Sequence, residues 1–210
     1  MAALVAVAES IGATVYHQPM ADGVNFPGSH PLFAGMLAPV NAAIRQALSG
    51  HDVVLVAGTH AFMPHHYTAG SAIPDGVTVV QADSNPAEIG RNFAVAAGLV
   101  GGLRPTLERL AATLAGRMPQ AAERMTAIGE ATRALRHATD EAALARYGDT
   151  TLEPLSAVHA LVSGSARPSA PGLATRSVRS SPFLVMAARC SASKGCGARL
   201  VTRCRWRSLS

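Results

Sequence analysis

Lysine is nearly missing from this sequence: Lys194 is the single one, and residues 1–164 contain none. Acid is missing from the other end, since all 13 Asp and Glu lie between Glu9 and Glu153. Residues 1–164 therefore set 9 Arg against 13 acids, a net −4, while residues 165–210 hold 8 Arg and Lys194 with no acid, a net +9. The overall +5 and pI near 9.7 average two unlike segments and describe neither. The body is mildly acidic and offers no basic face for nucleic acid. The tail has charge but only Trp206 as a strong stacking aromatic, so no nucleic-acid partner is expected.

Long apolar runs are also missing. None approaches the roughly 18 residues that a membrane-spanning helix needs, and the apolar start at Met1 to Val7 has no basic leader and soon meets Glu9. These features predict a soluble, cytoplasmic protein with no membrane partner. Cysteine is confined to Cys190, Cys196 and Cys204, an odd number at spacings that match no zinc pattern, which argues against a disulfide framework and leaves the thiols incidental. No Gly-x-Gly-x-x-Gly joins a strand to a helix. Gly12, Gly58 and Gly101 stand apart, and flavin or nicotinamide binding has no support.

What is present is the composition of one ordinary core, 49% hydrophobic and 15% charged. From Met1 to about Leu114 the apolar pattern switches between helix-like and short strand-like stretches, which predicts βαβ units in a parallel sheet, an α/β three-layer, Rossmann-like architecture with helices on both faces. Leu4, Val7, Ala8 and Ile11 mark a first helix. A strand is predicted at 13–16, then a loop in which Phe26-Pro27 and His30-Pro31 disfavour regular structure. A helix over 39–48 ends at Gly50, a left-handed cap. Asp52-Val53-Val54-Leu55-Val56-Ala57 reads as a strand buried on both faces.

After Gly58 a long loop runs to Pro74, and a strand is predicted at 77–81. Asn85 as N-cap and Pro86 as first helical residue then start a helix. A strand near 93–97 and a helix near 104–114 complete the unit, and stretches at 119–147 and 155–162 read as further helices. The resulting division is 1–116, a sheet domain; 117–150, a helical linker; 151–164, the start of another domain; and 165–210, a basic tail. The tail's Ser, Arg, Ala, Gly and Cys, without acid or period, bury too little surface to offset ordering entropy, which predicts disorder.

Four blocks carry a family resemblance: Val5-Ala6-Val7-Ala8-Glu9-Ser10-Ile11-Gly12-Ala13, Phe26-Pro27-Gly28-Ser29-His30-Pro31-Leu32-Phe33-Ala34-Gly35, Gly50-His51-Asp52-Val53-Val54-Leu55-Val56-Ala57-Gly58, and Asp83-Ser84-Asn85-Pro86-Ala87-Glu88-Ile89-Gly90-Arg91-Asn92. In order and spacing, over about residues 2–115, they resemble the central domain of thiamine diphosphate enzymes, and most of all the benzoylformate decarboxylase branch. The last block is similar to the acetolactate synthase branch as well. The resemblance implies three α/β domains per subunit, a dimer or tetramer of the parent enzyme, and nonoxidative decarboxylation of a 2-keto acid to an aldehyde. It places thiamine diphosphate between the first and third domains of paired subunits. There a first-domain Glu activates the aminopyrimidine, and a third-domain Gly-Asp-Gly to Asn-Asn segment holds Mg²⁺ and the diphosphate. Neither element stands in this sequence, and the first strand of the central sheet, which should precede Met1, is expected to be missing. The chain is thus expected to bind neither cofactor and to be inactive alone. Alternatives are a fragment of an acetolactate synthase-like enzyme, or a non-catalytic interaction module that takes a partner's strand at its open sheet edge.

The family's central domain lends one histidine to the active site, in a pattern of Gly, six residues, His, one residue, Tyr. Gly58-Thr59-His60-Ala61-Phe62-Met63-Pro64-His65-His66-Tyr67 matches it with His65 in the histidine position, departing at Pro64 and His66. A titrating imidazole suits protonation of the carbanion-enamine left by decarboxylation. Without the resemblance His65 is an ordinary loop histidine. His60, His65 and His66 form no metal site on the sequence, because no carboxylate or cysteine lies near them. His30 is expected to fix its loop by hydrogen bonding, with Phe26, Leu32 and Phe33 packed beneath it. Asp83 is expected to start a helix, although an adenosine contact is the alternative, and Arg91 to be solvated near a helix end.

The family resemblance also gives the tail a genetic reading: out-of-frame translation of a GC-rich gene yields this mixture of residues. If GC-rich codons encode Met186-Ala187-Ala188-Arg189-Cys190, another frame reads Gly-Gly-Ala-Leu, which belongs in the family's third domain at about this distance. The coding sequence read in that frame is expected to continue as third-domain sequence. A frame without such a continuation refutes the reading.

Overall fold

The computed structural model describes residues 1–19, 24–62, 67–147, 154–165 and 184–188. Leu4, Val7 and Ala8 lie on the buried face of α1 (Ala2–Ile11). Gly12 ends the helix in the left-handed region, φ 62° and ψ 54°, and the Ala13 N–H returns to the Ala8 carbonyl at 2.9 Å. Glycine takes this conformation without the strain a Cβ would bring. The turn feeds β1 (Thr14–His17), which pairs in parallel with β2 (Phe33–Met36).

After α2 (Asn41–Leu48), β3 (Val53–Ala57) pairs in parallel with β4 (Thr78–Asp83), and β4 with β5 (Ala97–Val100). Three helices follow, α3 (Leu103–Leu114), α4 (Ala121–Leu144) and α5 (Pro154–Ser165), and then β6 (Leu184–Ala188). The sheet order is β2-β1-β6-β3-β4-β5, with β6 antiparallel to both neighbours.

Two cores flank the sheet. On one face Leu4, Val7, Val15, Leu55, Leu107 and Met186 pack together, with Met125 and Ile128 of α4 against them. On the other, Ile44 and Leu48 of α2 meet Val54, Val56, Val79 and Phe62. Successive β3 side chains therefore serve opposite cores, which explains an uninterrupted apolar run in place of an alternating one. The expected α/β layering, with helices on both faces of a parallel sheet, is the fold observed.

Several elements differ from expectation. Leu184–Ala188 lies within the tail expected to be disordered, yet it is a strand and occupies the middle of the sheet. Composition averaged over the tail conceals a local run, Phe183 to Ala188, of six consecutive apolar residues. The sheet position expected to be vacant for want of a first strand is thus filled, and the otherwise parallel sheet gains one antiparallel strand. The helix expected at Asn85 is a single 3₁₀ turn, Pro86–Glu88, because the Gln81 side chain holds the Glu88 carbonyl and the Gly90 N–H at 2.9 Å each and turns the chain away. β2 was not anticipated. β5 begins at Ala97 and not near Phe93, since Phe93 and Val95 pack as loop residues on the second core.

The segment expected as a linker is bound to the sheet domain. Arg124 of α4 donates to the Ile11 carbonyl at 2.7 Å. Half-buried Arg136 donates to the carbonyls of Gly28, Ser29 and His30 at 2.7, 3.2 and 3.1 Å, gathering the proline-rich loop onto α4. His30 fixes the same loop from within: its Nδ1 accepts the Leu32 N–H at 3.2 Å and its Nε2 stands 3.3 Å from Glu9 Oε1. Phe26 and Leu32 are buried beneath, as expected.

A Cβ on Gly12 would stand 2.6 Å from the Ala121 carbonyl oxygen, whereas one on Gly116, also left-handed at φ 70°, would meet nothing. Gly116→Ala should therefore cost only the left-handed penalty of about 1–2 kcal/mol. Gly12→Ala should cost clearly more, because α4 must also shift. Urea unfolding of both variants measures the difference, and equal losses would mean that α4 is not seated on the end of α1.

Candidate site at the carboxyl ends of the strands

Parallel pairing sends the carboxyl ends of β1, β3, β4 and β5 to one side of the sheet, where ligands bind in doubly wound folds. Three strand ends bring polar groups there: His17-Gln18 after β1, Gly58-Thr59-His60 after β3, and Asp83-Ser84-Asn85 after β4. Gly58 makes the exit from β3, with φ 61° and its N–H on the Ala82 carbonyl at 2.8 Å. Phe62 follows at φ 59°, the one left-handed non-glycine residue among those described, and its ring meets Phe93 edge-on at 5.0 Å.

The groups at these ends are largely committed to one another. Asp83 is buried, and its Oδ1 accepts the Asn85 N–H at 2.9 Å, while Asn85 Oδ1 accepts the Ala87 N–H at 3.1 Å. This is the turn-starting role expected of the pair. Glu88, mostly buried, lies 3.3 Å from His60 Nδ1 and accepts from Arg91 at 3.0 Å. Arg91 is thus half of an ion pair and not simply solvated. Sequence reading missed Glu88, although its spacing of three from both Asn85 and Arg91 was a signal. It also missed His17 and Gln18, which only the strand's end point marks. Nε2 of each is buried and without a hydrogen-bond partner among the described residues.

His65 and His66 lie outside the described residues, between Phe62 and the fully exposed Tyr67. His60 is turned to Glu88, and the described residues bring together no group of three His, Cys, Asp or Glu able to hold a metal.

A family model, thiamine pyrophosphate enzyme, central domain, matches residues 1–110. The chain belongs to this family. It is 33% identical over 138 residues to benzoylformate decarboxylase of Pseudomonas aeruginosa, covering 64% of this chain and 26% of that protein. Sulfoacetaldehyde acetyltransferase of Rhodobacter capsulatus is 42% identical over 78 residues, 35% of this chain and 13% of the relative. Among solved structures, the thiamine diphosphate-dependent 4-hydroxybenzoylformate decarboxylase of Rhodococcus jostii RHA1 matches with a TM-score of 0.50 and 31% identity, over 54% of this chain and 21% of that one. The chain therefore spans about a quarter or less of the relatives it matches.

Among the described residues the groups present do not make up the oxygen set that Mg²⁺ of the family's cofactor would need. A diphosphate-bound Mg²⁺ needs several oxygen ligands, and here the strand-end carboxylate Asp83 already accepts a backbone N–H while Glu88 is neutralised by Arg91.

Burial lowers the His17 pKa below the ordinary imidazole value of 6.5. A protonated ring would bury a second N–H with no acceptor. The folded state therefore favours the neutral ring. The stabilisation is complete above the unfolded pKa near 6.5 and is lost as pH falls through the lower folded value. Between pH 7.5 and 5.0 the wild-type melting temperature should fall further than that of His17→Phe, because the other histidines are common to both. Equal falls would show that His17 protonates as freely in the fold as out of it.

Proposed function

We propose that this chain is the central-domain part of a thiamine diphosphate-dependent 2-keto acid decarboxylase of the benzoylformate decarboxylase kind, with a structural role and no turnover by itself. The carrying observation is the reach of the similarity to benzoylformate decarboxylase: 138 residues, against the 110 of the central-domain match. Ordered ties between α4 and the sheet domain, at Arg124 and Arg136, support treating that longer stretch as one unit. The shared stretch with the acetyltransferase is shorter, 78 residues, which favours the decarboxylase reading over an acetyltransferase one.

In the parent enzyme His65 would bring an imidazole to the cofactor from the loop that leaves β3 at Gly58, on the ligand-binding side of the sheet. The parent would act as a cytoplasmic dimer or tetramer, with thiamine diphosphate and Mg²⁺ held by domains other than this one. Among the described residues no helix is long and apolar enough to cross a membrane.

Calorimetric titration of the purified chain with thiamine diphosphate and Mg²⁺ should give no saturable heat from micromolar to millimolar concentrations, and the chain should release no CO₂ from benzoylformate. Saturable binding would overturn the structural role and place a cofactor site within these residues.

A further inference from the structure

Where the proline-rich loop and β2 meet α4, they enclose a cavity of about 250 Å³ that shares no lining residue with the strand ends described above. Thr132, Arg136 and Asp140 line it at spacings of four, so successive turns of α4 present one polar group each along a single face. From Thr132 to Asp140 that wall runs about 12 Å along the helix. Phe33 and Ala34 of β2 and Leu135 of α4 give the cavity apolar sides. Gly28 and Gly35 keep it open, since a Cβ on either would meet no atom within 4 Å.

The three polar groups differ in what they have left to offer. Arg136 donates to the carbonyls of Gly28, Ser29 and His30 and reaches that of Phe33 at 3.4 Å, so its guanidinium is committed to the loop and is a poor anchor for an anion. Threonines within a helix commonly donate to the carbonyl four residues earlier, as Thr126 and Thr139 of α4 do at 3.1 and 2.9 Å. Thr132 does not. It is 7% exposed, and its hydroxyl makes no hydrogen bond among the described residues. A buried hydroxyl in this state is destabilising until a partner enters. At the other end Asp140 is 61% exposed, and its Oδ1 stands 3.7 Å from His159 Nε2, beyond hydrogen-bond reach. The charge left available in the cavity is therefore negative.

We propose that this cavity is a binding site for a small hydroxylated arylalkylamine, with its ammonium on Asp140, its ring between Phe33 and Leu135, and its hydroxyl on Thr132. An ammonium gives the carboxylate a charge-assisted hydrogen bond. A phenolic hydroxyl both donates and accepts, and so satisfies Thr132 in either sense. The volume lies below the roughly 300–1,000 Å³ of sites for drug-sized ligands, which limits the occupant to one ring and a short arm.

Titration of the full chain with tyramine, followed by the amide signals of Phe33–Gly35 and of residues 132–140, tests the assignment. These signals should shift and saturate with a Kd on the order of millimolar or lower. Phenethylamine, which lacks the hydroxyl, should bind roughly fivefold more weakly. Phloretate, which carries a carboxylate in place of the amine, should bind roughly tenfold more weakly or worse. Thr132→Val should weaken tyramine roughly fivefold and leave phenethylamine unchanged, whereas Asp140→Asn should weaken both amines roughly tenfold or more. Absence of saturation, phloretate binding as tightly as tyramine, an equal loss for both amines in Thr132→Val, or no loss in Asp140→Asn overturns the proposal. The ligand comparison requires no substitution, and Asp140 is a surface position, so the test decides even if Thr132→Val fails to fold.

Discussion

Backbone N–H and C=O groups in the middle of a sheet covered on both faces can be satisfied only by another strand, and here the middle of the sheet is the seam between β1 and β3. β3 is buried along nearly its whole length and pairs with β4 on one side. Its other edge, and the facing edge of β1, would otherwise be left as a row of buried unpaired groups, each costing about 1–3 kcal/mol. β6 removes that cost along both edges, and Met186 makes the core over α1 and α3 continuous across the seam from Val15 to Leu55. The two halves of the sheet, β2-β1 and β3-β4-β5, are one sheet only because a strand lies between them.

The same arrangement decides what the strand ends can do. Ion pairs gather there, but His60 and Arg91 are about half exposed, at 44% and 57%. Such pairs contribute about 0–1 kcal/mol. The Gln81 amide is 2% exposed and makes two hydrogen bonds to the 3₁₀ turn, to the Glu88 carbonyl and the Gly90 N–H. Each is worth about 1 kcal/mol, and losing the amide would leave both groups unsatisfied. Gln81 is therefore the main tie of the turn, with the ion pairs secondary. A neutral side chain thus holds the backbone shape at this strand end.

Much of this was legible from residues alone. The buried strand at Val53–Ala57 announced itself by a continuous apolar run, α1 by its helical spacing, and the turn at Asn85-Pro86 by capping chemistry that the Asn85 side chain performs. The misses have distinct causes. The four residues of β2 carry no alternation, and the strand forms because β1 offers an edge. The length of the Asn85 helix was set by a side chain reaching from another strand, which no local signal encodes. The docking of α4 depends on Arg136 meeting carbonyls more than a hundred residues earlier. For His65 the family pattern was the only signal, since a histidine among loop residues has no periodicity to place it.

β6 also shows how little sequence such an insertion demands. A pentamer that pairs on both edges is held along its backbone, and Met186 adds a buried side chain between Val15 and Leu55. The edges are those of β1 and β3, and the cores beside them are built mainly by residues 1–114, with Met125 and Ile128 of α4 and Met186 of β6 itself. A segment need only supply an apolar run of sufficient length to pair along both edges. Phe183 to Ala188 is such a run. The strand at Leu184–Ala188 is thus compatible with the acid-free, Ser- and Arg-rich composition of the sequence on either side of it.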